Sequence, residues 1–438
     1  MTTRSSPKGR LLAILACGVV AFGVFVWMGN RREEARFDPP QNPQLQPRFI
    51  PGGRPIAQEL PPQAEESLAK STLPLYELRM SPNDLRTIEM EPYGNTTYPA
   101  TFIAEGKTYE GVKVRARGSW SRSWPKKSLK IQFDHKNPFG ERIRLDLNSC
   151  WRDPAFVREA LAYRVYAACG VIAPRAQMVR LQVNGRFHGL YVDVEPPDKE
   201  FLARHNHKGA ELYKAASRTR DADERDLGDD TSYQGAYTRE TKKTEDYHEL
   251  AQFCQQLART TDVAGFFNQH VQLDQYINYL AATVLIQHWD GFNKNHYLAH
   301  DREGSGQWLV IPWDLDRTFG DHWQMRFDVA RLPILLGTRA APGVTGWNRL
   351  EERFFSEPSL RLKFLDRLSE LLEKEFTPEK LFPVLDQLEA QIGSAAELDR
   401  ARWPSPAGDL HEGIAGVKSF IEQRRAYLQE EISRLRRL

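Results

Sequence analysis

The stretch from Gln287 to Asp316 constrains this chain more than any other. It runs Gln287-His288-Trp289-Asp290-Gly291-Phe292-Asn293-Lys294-Asn295-His296-Tyr297 and, after a turn, ends an apolar strand with Ile311-Pro312-Trp313-Asp314-Leu315-Asp316. The order is carboxylate, amide, strand, turn, strand, carboxylate. Apolar residues on either side of the turn predict a hairpin over residues 296–313. Asp314 and Asp316 then alternate on a strand end, face the same way, and can share one or two cations. Such an order supplies a carboxylate that takes up a proton and hard oxygen donors for a small divalent cation. Read locally, the same residues also suit a surface helix end and a hairpin whose acids solvate its ends. The spacing alone does not choose.

Three other segments join this one. Arg115-Ala116-Arg117-Gly118-Ser119 runs on to Pro125-Lys126-Lys127-Ser128. Val183-Asn184-Gly185 is followed by His188-Gly189-Leu190-Tyr191 and Glu195, and Leu212-Tyr213-Lys214 forms a triplet. Together with Asp290, Asn295 and the Trp-Asp-Leu-Asp ending, they make residues 73–435 resemble the spore-coat CotH kinase family. The segment departs from that family in having Ser119 where Asn is favoured. The resemblance implies an atypical, secreted or surface-associated protein kinase that uses ATP and a divalent metal, Mg²⁺ or Mn²⁺. Protein kinases place a base Asp and a metal-binding Asn at the same D-x4-N spacing.

That resemblance assigns roles. Asp290 is the catalytic base or the orienter of the acceptor hydroxyl. Asn295 and Asp314 bind metal, with Asp316 close behind. Arg115, Arg117 and Ser119 grip phosphates at a strand end and its following loop. Lys127 is the candidate phosphate lysine, since pleating aligns it with Leu129, Ile131 and Phe133, whereas Lys126 and Lys130 point the other way. Glu159 is the helix carboxylate that pins it, with a surface salt bridge as the alternative. Glu195 ends a hairpin at the junction that meets the adenine ring. His288 and His296 flank the site as packing or hydrogen-bonding residues.

The periodicities predict an α+β chain, a two-lobed, atypical kinase-like fold at residues 73–438. Short strands dominate residues 73–215, including an Asn184-Gly185 hairpin, with one helix over 155–169. Residues 246–438 are mostly helical, at 247–259, 273–288, 359–373, 378–392 and 413–438. The acidic segment 216–246 reads as an exposed loop. It fails as a calcium loop, because Asp226 stands where Gly is needed and Ser232 where Glu is needed.

Residues 11–28 carry no charge and follow Arg4, Lys8 and Arg10. Eighteen residues approach the length that spans a bilayer, so residues 1–32 read as an uncleaved anchor, with the body outside the cytoplasm. Cys17 lies too early in the run for a lipoprotein cleavage site. Residues 33–72 hold eight prolines and read as an extended linker that packs on nothing. Of the remaining cysteines, Cys150 and Cys169 are free to pair outside the cytoplasm, or all three are small buried residues. Sixty basic against 58 acidic residues give no pointer to nucleic acid.

The expected function is transfer of the ATP γ-phosphoryl group to a Ser or Thr of a protein by a membrane-tethered enzyme. Two alternatives stay open. One is a catalytically silent surface assembly or binding module. The other is a different nucleotide-dependent transferase, moving AMP or acting on a glycan or small molecule.

Overall fold

Apolar residues alternate through the strands of the first half, and the chain closes that alternation into a barrel. A computed structural model describes residues 57–241, 246–322, 329–335, 337–338 and 346–437. Seven strands form the barrel: β1 (Leu75–Met80), β2 (Tyr98–Ala104), β3 (Lys107–Arg117), β4 (Ser128–Gln132), β5 (Arg144–Asn148), β6 (Ala176–Val183) and β7 (Arg186–Val194). Their order is β1-β2-β3-β4-β5-β7-β6, and β6 closes it by pairing parallel with β1. Tyr76, Leu78, Phe102, Val114, Ile131, Leu145, Val179 and Leu181 fill the interior. Closure leaves no exposed sheet edge. Asn184 and Gly185 both take positive φ, as a two-residue hairpin turn requires.

The second half carries a four-stranded sheet among helices. Its strands are β8 (Glu211–Ala215), β9 (Tyr237–Arg239), β10 (His296–His300) and β11 (Trp308–Pro312), ordered β11-β10-β8-β9. The expected hairpin is therefore β10–β11. Around it lie the helices His248–Arg259, Val263–His270, Leu273–Ile286, Arg349–Ser356, Pro358–Lys374, Pro378–Arg402 and Leu410–Leu435. The α+β reading holds. The helix predicted over 378–392 runs ten residues further, because the next proline is Pro404.

That extension has a purpose. The helix end at Asp399 reaches β7, where Asp399 Oδ2 accepts from Leu190 N at 2.7 Å and pairs with Lys126 Nζ. Trp403 Nε1 donates to the His188 carbonyl at 2.6 Å. Lys126 and Asp399 are both fully buried. They pass over Gly189, where a Cβ would sit 2.8 Å from Lys126 Cε and 2.7 Å from Asp399 Oδ2. The helix thus braces the barrel through a buried ion pair.

Two expectations are corrected. The linker packs in its described part. Leu60 and Leu68 are buried, a 3₁₀ helix spans Pro62–Leu68, and Arg186 pairs with Glu65 at 3.0 Å. Prolines limit helix and sheet here but do not stop two leucines from docking. The segment 216–241 is likewise an exposed loop only in part, around residues 218–221 and 225–231. It forms the helix Asp230–Ala236 and strand β9, and buries Asp223, Glu224, Tyr233 and Tyr237. Its acids suggested solvent, but Glu224 finds polar partners inside.

The apolar run at residues 11–28 lies outside the described residues. Among the described residues no helix is long and apolar enough to cross a membrane. Cys150, Cys169 and Cys254 are free thiols.

The linker contacts make a prediction. A chain beginning at residue 57 should keep the melting temperature of the full body. One beginning at residue 72 should lose about 3–6 kcal/mol, the burial of two leucines, and melt several degrees lower in a thermal scan. Equal melting temperatures for the two truncations would show that the leucine contacts contribute nothing.

Candidate functional site

The helix Leu273–Ile286 delivers the D-x4-N loop. Gln287 ends it in a left-handed conformation, with φ +56°, and the chain turns sharply into Asp290. Asn295, also at positive φ, donates its side-chain amide to Asp290 Oδ2 at 3.1 Å and to the Asp290 carbonyl at 3.1 Å. Lys294 Nζ sits 3.0 Å from Asp290 Oδ1. Burial pushes the Asp290 carboxyl up, Lys294 opposes this, and the charge of Asp314 adds to it.

The hairpin returns the second acid to the same place. Trp313 N donates to the Asn295 carbonyl at 3.1 Å, so Asp314 follows directly beside Asn295. Strand β11 stops at Pro312, and Asp314 has φ +59°. Asp314 and Asp316 therefore do not alternate on a strand end as expected; they lie in the turn beyond it. They remain near one another. The Asp316 carboxyl is raised well above its usual range by burial first and by the Asp314 charge second. Arg317 opposes this and also pairs with Asp321 at 2.7 Å.

The barrel contributes a second group. Glu159, in the helix Arg158–Ala168, is buried and accepts from Asn148 Nδ2 at 2.8 and 2.7 Å. Burial and the nearby charge of Asp314 push its carboxyl up to about 7, against the Asn148 bonds. Arg117 donates to Asn148 Oδ1, lies 3.5 Å from Asp146 Oδ1, and stacks over the Trp313 ring at 5.6 Å. Arg117, Asn148, Glu159 and Asp314 thus form one connected patch.

Sequence reasoning passed over three members of this patch. Asp146 and Asn148 share one face of β5, a strand hidden by its short, polar sequence. Lys214, the third residue of the Leu-Tyr-Lys triplet, pairs across to Tyr297 in the sheet. Its ammonium lies 5.3 Å from the Trp313 ring, and its pKa is lowered by burial first and Arg117 second, while Asp314 opposes. Lys130 and Arg144 also face Asp146, and burial brings Lys130 down to about 8.

Other expected residues are placed elsewhere. Lys127 Nζ donates to the carbonyls of Arg122 and Trp124; burial lowers its pKa, and among the described residues the acid that opposes this is Glu89. Strand β4 begins at Ser128, so the pleat does not extend back to Lys127. Glu195 accepts from Arg175 N at 3.0 Å and is paired with Arg204, which ties the end of β7 to the following helix. Arg115 donates to its neighbour's carbonyl but stays beside the patch, where it feels the charges of Asp146, Arg117 and Arg144. Ser119 is exposed and precedes a 3₁₀ turn. Gly118, with φ +97°, leaves no room there for a Cβ, which would collide with Ser121 Oγ.

Among the described residues, no three His, Cys, Asp or Glu side chains converge as a metal set. The donors present are Asn295, Asp314 and Asp316. That set fits Mg²⁺ or Mn²⁺, which take hard oxygens and complete their shell with water and phosphate.

A family model described as CotH kinase protein matches residues 114–428. Inner spore coat protein H of Bacillus subtilis (strain 168) is 27% identical over 378 residues, covering 83% of this chain and 99% of that protein. The inner spore coat protein H-like protein of the same organism is 24% identical over 311 residues, covering 71% and 87%. Among solved structures, the Helicobacter pylori proinflammatory kinase CtkA aligns with a TM-score of 0.33 and 10% identity, over 79% of this chain and 93% of that one.

Proposed function

The chain belongs to the CotH kinase protein family, and from that premise we propose an atypical protein kinase that transfers the γ-phosphoryl group of ATP to a Ser or Thr hydroxyl of a protein. One observation carries the reading: Asp290, Asn295 and Asp314 are held together by the loop and hairpin, with Lys214, Arg117 and Glu159 closing on them from β8, the barrel and the helix Arg158–Ala168. In this reading Asp290 takes or orients the acceptor proton. Asn295 and Asp314, with Asp316, would hold Mg²⁺ or Mn²⁺, which neutralises charge between the phosphates. Lys214 and Arg117 supply fixed positive charge toward the nucleotide. Glu159 orders Asn148 and Arg117. Residues 11–28 support a membrane tether with the body outside the cytoplasm, and the balanced charge supports a protein rather than a nucleic-acid partner.

A second reading, a coat or assembly module without turnover, draws on the printed names of the two Bacillus relatives. The test is mass spectrometry of products from the full chain with ATP, Mg²⁺ or Mn²⁺, and a Ser/Thr protein acceptor. Phosphorylated acceptor or autophosphorylated chain supports the kinase, AMP-modified product supports nucleotidyl transfer, and neither product supports the assembly module.

The placement of the lysines gives a sharper result. Lys214→Met should raise the Kd for Mn²⁺–nucleotide about tenfold, one charge-assisted contact of about 1.4 kcal/mol. Lys127→Ala should leave that Kd unchanged. Isothermal titration of both variants decides it, and the reverse outcome would restore Lys127 as the phosphate lysine.

A further inference from the structure

Composition predicts solvent exposure for the segment 216–246, yet it sends Glu224 into the interior beneath the D-x4-N loop. Glu224 is 2% exposed. Its Oε1 accepts from Tyr237 OH at 2.9 Å and lies 2.9 Å from His296 Nε2, and its Oε2 accepts from Asn348 Nδ2. Both partners reach on into the loop. His296 Nδ1 lies 3.0 Å from the Gly291 carbonyl and 3.1 Å from that of Lys294. Asn348 Nδ2 donates to the Phe292 carbonyl at 2.8 Å.

The same segment holds the loop's centre directly. The Asn293 carbonyl accepts from Ala222 N at 3.0 Å and from Ser217 Oγ, while its side chain donates to Asp221 at 3.1 Å. The Asn295 carbonyl accepts from Trp313 N. Every carbonyl from Gly291 to Asn295 therefore has a donor. Glu224 stands behind three of the five, those of Gly291, Phe292 and Lys294. Both nitrogens of His296 face only acceptors, so both must donate for the cluster to be satisfied.

We propose that Glu224 is a positioning residue for the D-x4-N loop, acting through His296 and Asn348 to fix where Asp290 and Asn295 stand. This rests on the reading of Asp290 and Asn295 as phosphoryl-transfer and metal groups. A purely structural acid would lower stability when changed and do nothing particular to the loop. A positioning acid changes the loop and whatever the loop binds. Sites held by a satisfied polar network lose geometry when one member loses its acceptors.

The test uses Glu224→Gln in the full chain. Glutamine keeps the volume but offers one acceptor atom where the carboxylate offers two, so one of the three donors is left without a partner. Two measurements are made. Hydrogen exchange of the peptide covering residues 290–297 should rise, with little change in the barrel strands. The Kd for Mn²⁺ with a non-hydrolysable ATP analogue should rise about tenfold, and the same change made on an Asn295→Ala background should add little, since both act through one loop. Should Glu224→Gln fail to fold, Tyr237→Phe removes one of the three donors on the carboxylate and takes the same measurements. Unchanged exchange in residues 290–297 overturns the proposal, and so does a loss of affinity that is fully additive with Asn295→Ala. If the wild-type chain binds no metal–nucleotide, the kinase reading fails and loop exchange alone decides the role of Glu224.

Discussion

Asp314→Asn is expected to abolish phosphoryl transfer and to weaken metal-dependent nucleotide binding with it. Asp290→Asn should lower transfer by about 10²–10⁴-fold, the usual worth of a positioned proton acceptor, while nucleotide binding survives. The difference follows from position. Asp314 stands beside Asn295, reached through the Trp313 N to Asn295 carbonyl bond, and its charge is felt by Asp290, Asp316 and Glu159. Removing that charge takes a hard ligand away and leaves an amide, a poorer partner for Mg²⁺. Asp290 is instead bound to Lys294 and Asn295 within its own loop. An asparagine there still accepts from Asn295, so the loop keeps its shape, but the proton acceptor is gone. Both changes are nearly isosteric, and circular dichroism checks that the fold is retained. A γ-phosphate transfer assay paired with nucleotide titration reads the outcome. Transfer at the wild-type rate by both folded variants would sink the kinase assignment and favour the assembly module.

Much of this arrangement was legible in residues. The hairpin β10–β11, the apolar helix before it, and the D-x4-N loop are written in strong local signals: alternation, an unbroken apolar run, and chain reversal. Those signals depend on neighbours in sequence. What the residues hid depends on neighbours in space. Lys127 was aligned with Leu129 and Ile131 by pleating, but the strand starts one residue later, and a single slip moves a side chain off its face. Lys126, assigned to the outer face, is the fully buried one, because its partner Asp399 lies 273 positions away. No periodicity reports such a pairing. Asp146 and Asn148 sat in a five-residue strand whose polar face looks like a turn. Glu224 was hidden by its acidic surroundings, since composition averages over a segment and burial is decided at each residue. The closed barrel was equally out of reach, because its closing pair joins β1 to β6, about a hundred residues apart.

The largest stability effect should come from that hidden pair. Lys126 Nζ donates to Asp399 Oδ2, to the Ser149 carbonyl at 2.7 Å and to the Leu190 carbonyl at 2.5 Å, which accounts for all three of its protons. The Tyr191 ring lies 4.4 Å from the ammonium. Lys126→Met leaves Asp399 as an unpaired buried carboxylate and two backbone carbonyls without donors. Breaking one side of a buried pair costs about 3–5 kcal/mol, and the melting temperature should fall by on the order of 10 °C. Adding Asp399→Leu to Lys126→Met should recover part of the loss, since the stranded charge is gone. Recovery stays partial because Leu190 N then lacks the acceptor that Asp399 gave it. The Lys126 ammonium bonds Asp399 and the Ser149 and Leu190 carbonyls rather than Asp290, Asn295, Asp314 or Lys214, so Lys126→Met that remains folded at low temperature should bind Mn²⁺–nucleotide as the wild type does. Calorimetry and titration separate the two effects. A Lys126→Met chain with an unchanged melting temperature but lost nucleotide affinity would move this lysine from the brace into the active site.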